Sequence, residues 1–161
     1  MRLFSFIIIS ICICLSSCKQ TSATQQVESN STTQTEPKLF VSMSKTPCYG
    51  RCPTYSMSIF DNGNIEYNGK RFVEKEGNYT GTLSMDQINM IKERINTSNF
   101  FELNSKYDSN VTDFPSCIIE VKLDGKSKKI TDRIGAPKEL KKLEKFIEEM
   151  VFNAELTKVK E

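Results

Sequence analysis

The chain has 161 residues, 22 Lys+Arg against 20 Asp+Glu, six cysteines and no histidine. A formal charge of +2 supplies no field strong enough to gather nucleic acid or an anionic surface. The lack of histidine excludes Ser-His-Asp and Cys-His catalytic arrangements, and zinc sites that use imidazole.

Met1-Arg2 is a short positive end, Phe4 to Leu15 is apolar, and the small residues Ser16-Ser17 precede Cys18. This order is that of a secretory signal. At roughly twelve residues the apolar run is shorter than the ~20 a spanning helix needs. Leu15-Ser16-Ser17-Cys18 also looks like a bacterial lipobox, in which the cysteine is diacylated and the signal is cut just before it. Residues 1–17 are therefore expected to be a lipoprotein signal peptide, with lipid on Cys18. The alternative is an ordinary cleaved signal. Two or three acyl chains would anchor firmly, because each buried methylene contributes ~0.8 kcal/mol. Cleavage removes Arg2, Cys12 and Cys14 and no acid. Cys48, Cys52 and Cys117 then remain in a compartment that permits disulfides.

Residues 18–37 continue from Cys18 as Ser, Thr and Gln with almost nothing apolar, and read as a disordered tether reaching on the order of 25 Å. Lys19 rather than Asp after the cysteine favours the outer membrane, by similarity to envelope sorting in other bacteria.

A globular domain is expected over 38–152. Leu39, Val41 and Met43 alternate with Phe40 and Ser42, as in a strand. The loop Thr46-Pro-Cys-Tyr-Gly-Arg-Cys-Pro-Thr-Tyr55 follows. Thr54 to Phe60 alternates cleanly, Asp61-Asn62-Gly63 turns, and Asn64 to Tyr67 returns. Asn68-Gly69 reads as a second tight turn into Lys70 to Lys75, and Asn78 to Leu83 as another extended piece. Ser84 and Gln87 have the capping-box spacing. Met85, Ile88, Ile91 and Ile95 fall on one face of the helix they open, which ends near Thr97. Phe100, Phe101 and Leu103 form a hydrophobic plug, and 104–115 a polar loop. Cys117, Ile119, Val121 and Leu123 share one strand face; Asp124-Gly125 turns into Lys126 to Thr131. Pro137 suits a first helical position, and Leu140, Leu143, Ile147, Met150 and Val151 stripe the last helix. Residues 153–161 read as a frayed end. The sum is a single small α+β domain, roughly β-loop-ββββ-α-ββ-α, with two helices on one face of a mostly antiparallel sheet.

The loop 46–55, the turns Asp61-Asn-Gly63 and Tyr67-Asn-Gly69, and the run Gly77-Asn-Tyr-Thr-Gly-Thr-Leu83 carry a resemblance. So do Tyr107, Asp113, Pro115 and Gly135-Ala-Pro137 with Leu140. Together, over 38–151, they resemble a lipoprotein domain family common in Bacteroidetes, domain of unknown function 6438. Cys117 is not part of its pattern. The resemblance implies a fold and a location, and no mechanism.

No nucleotide-binding loop is present. Asp61, Asp113 and Asp132 could pair as acid and base, but aspartates near turns usually cap backbone. Cys117 reads as a buried small hydrophobe. Cys48 and Cys52 admit a structural disulfide, since Gly50 lets the chain double back between Pro47 and Pro53. They also admit a redox pair, although such pairs usually stand two apart at a helix start, or a metal site, for which the ligand set is poor. No cofactor or metal is expected.

Two functions follow. One is a non-catalytic envelope lipoprotein, held at the membrane by its lipid, that acts as a structural module or binds an envelope protein, a glycan or a small ligand. Tyr49, Arg51 and Tyr55 are then its candidate contacts, with Tyr55 in the core and Arg51 merely solvated as the competing reading. The other is an envelope thiol-disulfide enzyme using Cys48 and Cys52.

Overall fold

The computed structural model describes residues 36–109 and 113–160. The signal segment, Cys18 and most of the tether lie outside the described residues. The strands are β1 Leu39–Lys45, β2 Thr54–Phe60, β3 Asn64–Arg71, β4 Gly77–Thr82, β5 Lys106–Tyr107, β6 Cys117–Leu123, β7 Lys126–Asp132 and β8 Thr157–Lys158. The helices are α1 Met85–Thr97 and α2 Lys138–Phe152, with a single 3-10 turn at Phe100–Glu102. The strands form one sheet in the order β5-β7-β6-β1-β2-β3-β4-β8. Among the described residues only the β5–β7 pairing is parallel. The fold is α+β, as the sequence pattern implies.

The first strand becomes the middle of the sheet. β1 pairs with β2 on one side and β6 on the other. It thus joins the meander β2-β3-β4 to the hairpin β6-β7. Met43 sits between Met57 and Ile119, and Val41 between Ile59 and Val121, all buried. Ile65 and Tyr67 extend that face along β3. Ile88, Ile91 and Ile95 of α1 and Leu140, Leu143, Ile147 and Val151 of α2 are fully buried. Each such side chain contributes ~1.5–3 kcal/mol on burial, which is what holds two short helices to the sheet. The opposite face is polar, with Ser42 facing Ser58 and Ser44 facing Ser56. That in-out alternation is how an antiparallel sheet covers one side only.

Local signals account for most boundaries. Ser84 Oγ accepts from the Gln87 amide at 3.2 Å, and Gln87 Oε1 accepts from the Ser84 amide at 2.9 Å. This capping box starts α1. Asp124 and Gly125 both have positive φ, as a two-residue hairpin turn requires. Phe100 is fully buried beyond α1, with Phe101 half-buried beside it.

Several expectations are corrected. Asn68-Gly69 is not a turn. β3 runs straight through it, so Gly69 faces Tyr55 on one side and Gly77 on the other, and the meander has one strand fewer. The glycine serves close approach instead: a Cβ there would collide with the Lys75 carbonyl oxygen and lie 2.9 Å from Val73 Cγ2. The turn is the segment 72–76, folded back over the strand. Phe40 does not alternate outward; a register shift between Leu39 and Val41 lets it be buried beside Val41. Met85 is exposed. Pro137 is the cap rather than the first helical residue, because its ψ of 154° is extended. The loop 104–115 contains β5, and the end read as frayed contains β8. Among the described residues no helix is long and apolar enough to cross a membrane.

Candidate functional site

The loop between β1 and β2 is closed by a Cys48–Cys52 disulfide, with the Cα atoms 5.7 Å apart. Its base is tied to the start of β6. The Thr46 amide donates to Ser116 O at 2.9 Å, and the Ser116 amide donates to Thr46 Oγ1 at 2.8 Å. Inside the ring the Gly50 amide reaches Cys48 Sγ at 3.3 Å. Chain doubling therefore rests on the cross-link and on these three hydrogen bonds, with little core beneath. The ring pushes Tyr49 outward, where it is 95% exposed.

The three candidate contact residues do not form one surface. Tyr49 stands alone at the tip. Arg51 is exposed and lies 5.6 Å from the centroid of the Phe72 ring, which Arg71 also approaches at 5.1 Å. Tyr55 is 2% exposed and belongs to the core, the competing reading of it. Its hydroxyl nonetheless donates to Glu148 Oε1 on α2, which also takes the Lys45 ammonium. Burial, and then this bond to Glu148, raise the Tyr55 phenol far above its ordinary value. It is a neutral donor, not a base.

Around this Tyr55–Glu148–Lys45 junction opens a cleft of about 310 Å³. Phe152, Tyr67 and Tyr55 make one wall, the segment Phe72–Lys75 the other, and Pro53 carries the rim to the disulfide loop. Tyr55 and Phe152 meet edge to face at 5.5 Å and 74°, and Tyr67 and Phe152 at 5.7 Å and 82°. Phe72 has φ +56°, a left-handed backbone on a bulky residue, and its ring is 40% exposed. Such strain costs ~1–3 kcal/mol and persists only where the surroundings impose it. Here Gly69 lets the segment fold down, and Phe72, at its start, lines the cleft. A larger depression of about 800 Å³, by Glu36, Asn64, Glu66, Thr80 and Glu155, has Phe60 as its one aromatic wall residue and is far from the loop.

The three aspartates are not gathered. Asp61 Oδ1 accepts from the Lys38 amide at 2.9 Å and pins the start of the domain to the β2–β3 turn. Asp113 lies in the loop before β6. Asp132 is at the other end of the sheet, opposite Cys117 and beneath α2. There it meets an acid that the pattern does not single out. Asp132 and Glu144 are 1% and 5% exposed, and Lys141 covers them by pairing with Asp132 and lying 3.8 Å from Glu144. Among the described residues Asp132 Oδ1 and Glu144 Oε1 find no hydrogen-bond donor, and Asp132 Oδ2 has only the ion pair. Burial, reinforced by the Asp132 charge and opposed by Lys141, pushes Glu144 up to about 7. Burial also raises the Cys117 thiol well above its usual range, with Glu144 adding to the effect. Cys117 is thus a free, neutral, buried thiol and a poor nucleophile. Among the described residues no group of acids and cysteines is placed to hold a metal ion.

A family model for the domain of unknown function DUF6438 matches residues 39–151. The chain belongs to this family. The DUF6438 match begins with β1 and ends in α2, so it contains the disulfide loop, most of the cleft and the buried acid pair. β8 and Phe152, the last residue of the aromatic wall, lie just outside the DUF6438 region. No curated protein and no solved structure matches the chain.

Sequence reasoning missed Lys45, Phe72, Glu144, Glu148 and Phe152. Two of these carried a signal. Lys45 continues the inward alternation of Leu39, Val41 and Met43, and Glu144 sits four residues after Leu140, inside the apolar stripe. Phe72 carried none, because its placement depends on Gly69 being strand rather than turn.

Proposed function

We propose that the protein is a lipid-anchored envelope lipoprotein, tethered through Cys18 and placed in the outer membrane, whose DUF6438 domain is a non-catalytic binding module. Its binding site is the aromatic cleft beside the disulfide loop. The observation that carries this reading is the strained Phe72 lining a cleft with a half-buried polar junction. Concave, mostly apolar surfaces with a few fixed polar groups are where small ligands bind. The chemistry present favours binding over catalysis: the chain has no histidine, and burial keeps both Tyr55 and Cys117 protonated. The disulfide leads into β2 rather than into a helix, so no helix N-terminus stabilises a thiolate there.

Two measurements test the two parts. Metabolic labelling with a fatty-acid analogue should mark the wild type and not Cys18→Ala; equal labelling removes the anchor. Immobilised protein should retain material from envelope extracts that Phe72→Gly does not. Equal retention by both removes the cleft.

A further inference from the structure

The geometry points to a saccharide ring as the ligand of this cleft, an inference that rests on the cleft being the binding site. Three features select that class.

The first is charge. The walls carry two lysines, Lys45 and Lys75, and two glutamates, Glu74 and Glu148. Lys45 is paired with Glu148, and Lys75 lies 3.9 Å from Glu74. A bare cation would face two ammonium groups and a bare anion two carboxylates. The excess positive charge, on Arg51 and Arg71, lies outside against Phe72.

The second is polarity. The Lys45–Glu148 pair sits among aromatic rings, with side chains 31% and 18% exposed. A ligand that covered it with hydrocarbon would desolvate both charges without replacement. The occupant must bring groups that donate and accept side by side. Neighbouring hydroxyls on one ring do both: one donates to the Glu148 carboxylate, and the next accepts from the Lys45 ammonium.

The third is shape. Phe152 stands nearly edge-on to Tyr55 and Tyr67, at 74° and 82°, and those two rings are tilted by 36° to each other. No two of them are parallel, so they do not make a slot for a planar base. Tilted rings instead fit a puckered ring that presents C–H groups to one face and hydroxyls to the other side. Phe72 lines the same cleft from the segment between β3 and β4.

The full chain, isotope-labelled, is titrated with maltose, cellobiose, glucuronic acid, tetramethylammonium and adenosine, and amide and aromatic resonances are followed. We expect a sugar to shift signals of Tyr55, Tyr67, Phe72 and Phe152 together, tetramethylammonium and adenosine to leave them, and Phe72→Gly to weaken the sugar about tenfold or more, as loss of one contacting ring would. Because Phe72 already has φ +56°, glycine there fits the backbone, and an unchanged spectrum elsewhere confirms that the variant is folded. Shifts from tetramethylammonium or adenosine alone overturn the saccharide class and leave the cleft standing. Sugar shifts confined to other surfaces overturn both. Silence from every probe overturns the saccharide class.

Discussion

Replacing Glu144 by glutamine removes the titrating partner of the buried acid pair while keeping its size. In the folded protein Glu144 is pushed from 4.5 up to about 7, because α2 and the sheet bury it beside Asp132. The folded state therefore holds a proton that the unfolded chain releases from about pH 4.5 upward. Stability from this group is fully present below that pH, falls as pH rises towards 7, and is flat above. Moving a carboxyl from 4.5 to about 7 corresponds to about 3 kcal/mol, at 1.36 kcal/mol per pH unit. The neighbours do not mimic the slope. Cys117 is raised out of the window; Lys141 is held above its ordinary value, the two acids outweighing its burial. The chain also has no histidine to titrate between pH 5 and 8. Urea unfolding at pH 5, 6, 7 and 8 should show the wild type losing up to about 3 kcal/mol, and Glu144→Gln losing little. The variant should equal or exceed the wild type at pH 8. A wild type that is flat or gains stability over this range, or a variant with the same slope, would refute the reasoning.

Removing the cross-link with Cys48→Ser/Cys52→Ser should cost about 2 kcal/mol on the chain-entropy model, read as a lower urea midpoint with an unchanged slope. A loss above about 4 kcal/mol would mean the loop supports the core. Gly69→Ala should cost ~1–3 kcal/mol by forcing the 72–76 segment off β3, with the melting temperature as readout. A neutral result would show that the segment is not seated there. Phe72→Gly should leave stability within about 1 kcal/mol of wild type, because relief of left-handed strain offsets the flexibility of glycine. A drop of several kcal/mol would show that the ring is core rather than cleft wall.

Periodicity made the frame legible. From Tyr55 to Phe60 β2 follows its pattern, because one face meets the helices and the other is partly open to water. Residues 84–97 are likewise legible, since the capping box and the isoleucine spacing act within one turn. Asn68-Gly69 misleads because a tight turn and a crowded flat strand ask for the same residue. The fold-back of Val73 and Lys75, which with the Tyr67 hydroxyl crowd the missing Cβ position, decides between them. Tyr55 could be placed on the inward face, but its value lies in Glu148, 93 residues away. The same holds for Cys117, Asp132 and Glu144. Each follows a local rule, and their meeting is fixed by the pairing of β6 with β7 and the angle at which α2 crosses them. Long-range register of that kind leaves no trace in a window of neighbouring residues.

The two residues of β8 protect more than their length indicates. They pair with Tyr79 and Thr80 of β4, and the Val159 amide adds a bond to Asn78 O at 2.9 Å. Glu155 and Leu156 ride directly over Gly81, where a side chain would not fit. This short tail is what stands between the outer row of β4 amides and any other strand. For copies crowded on one membrane surface by the proposed anchor, neighbours meet side by side rather than tumbling freely. A nick near Asn153 would bare that row. It would leave an unpaired edge of the kind along which strands of separate copies pair.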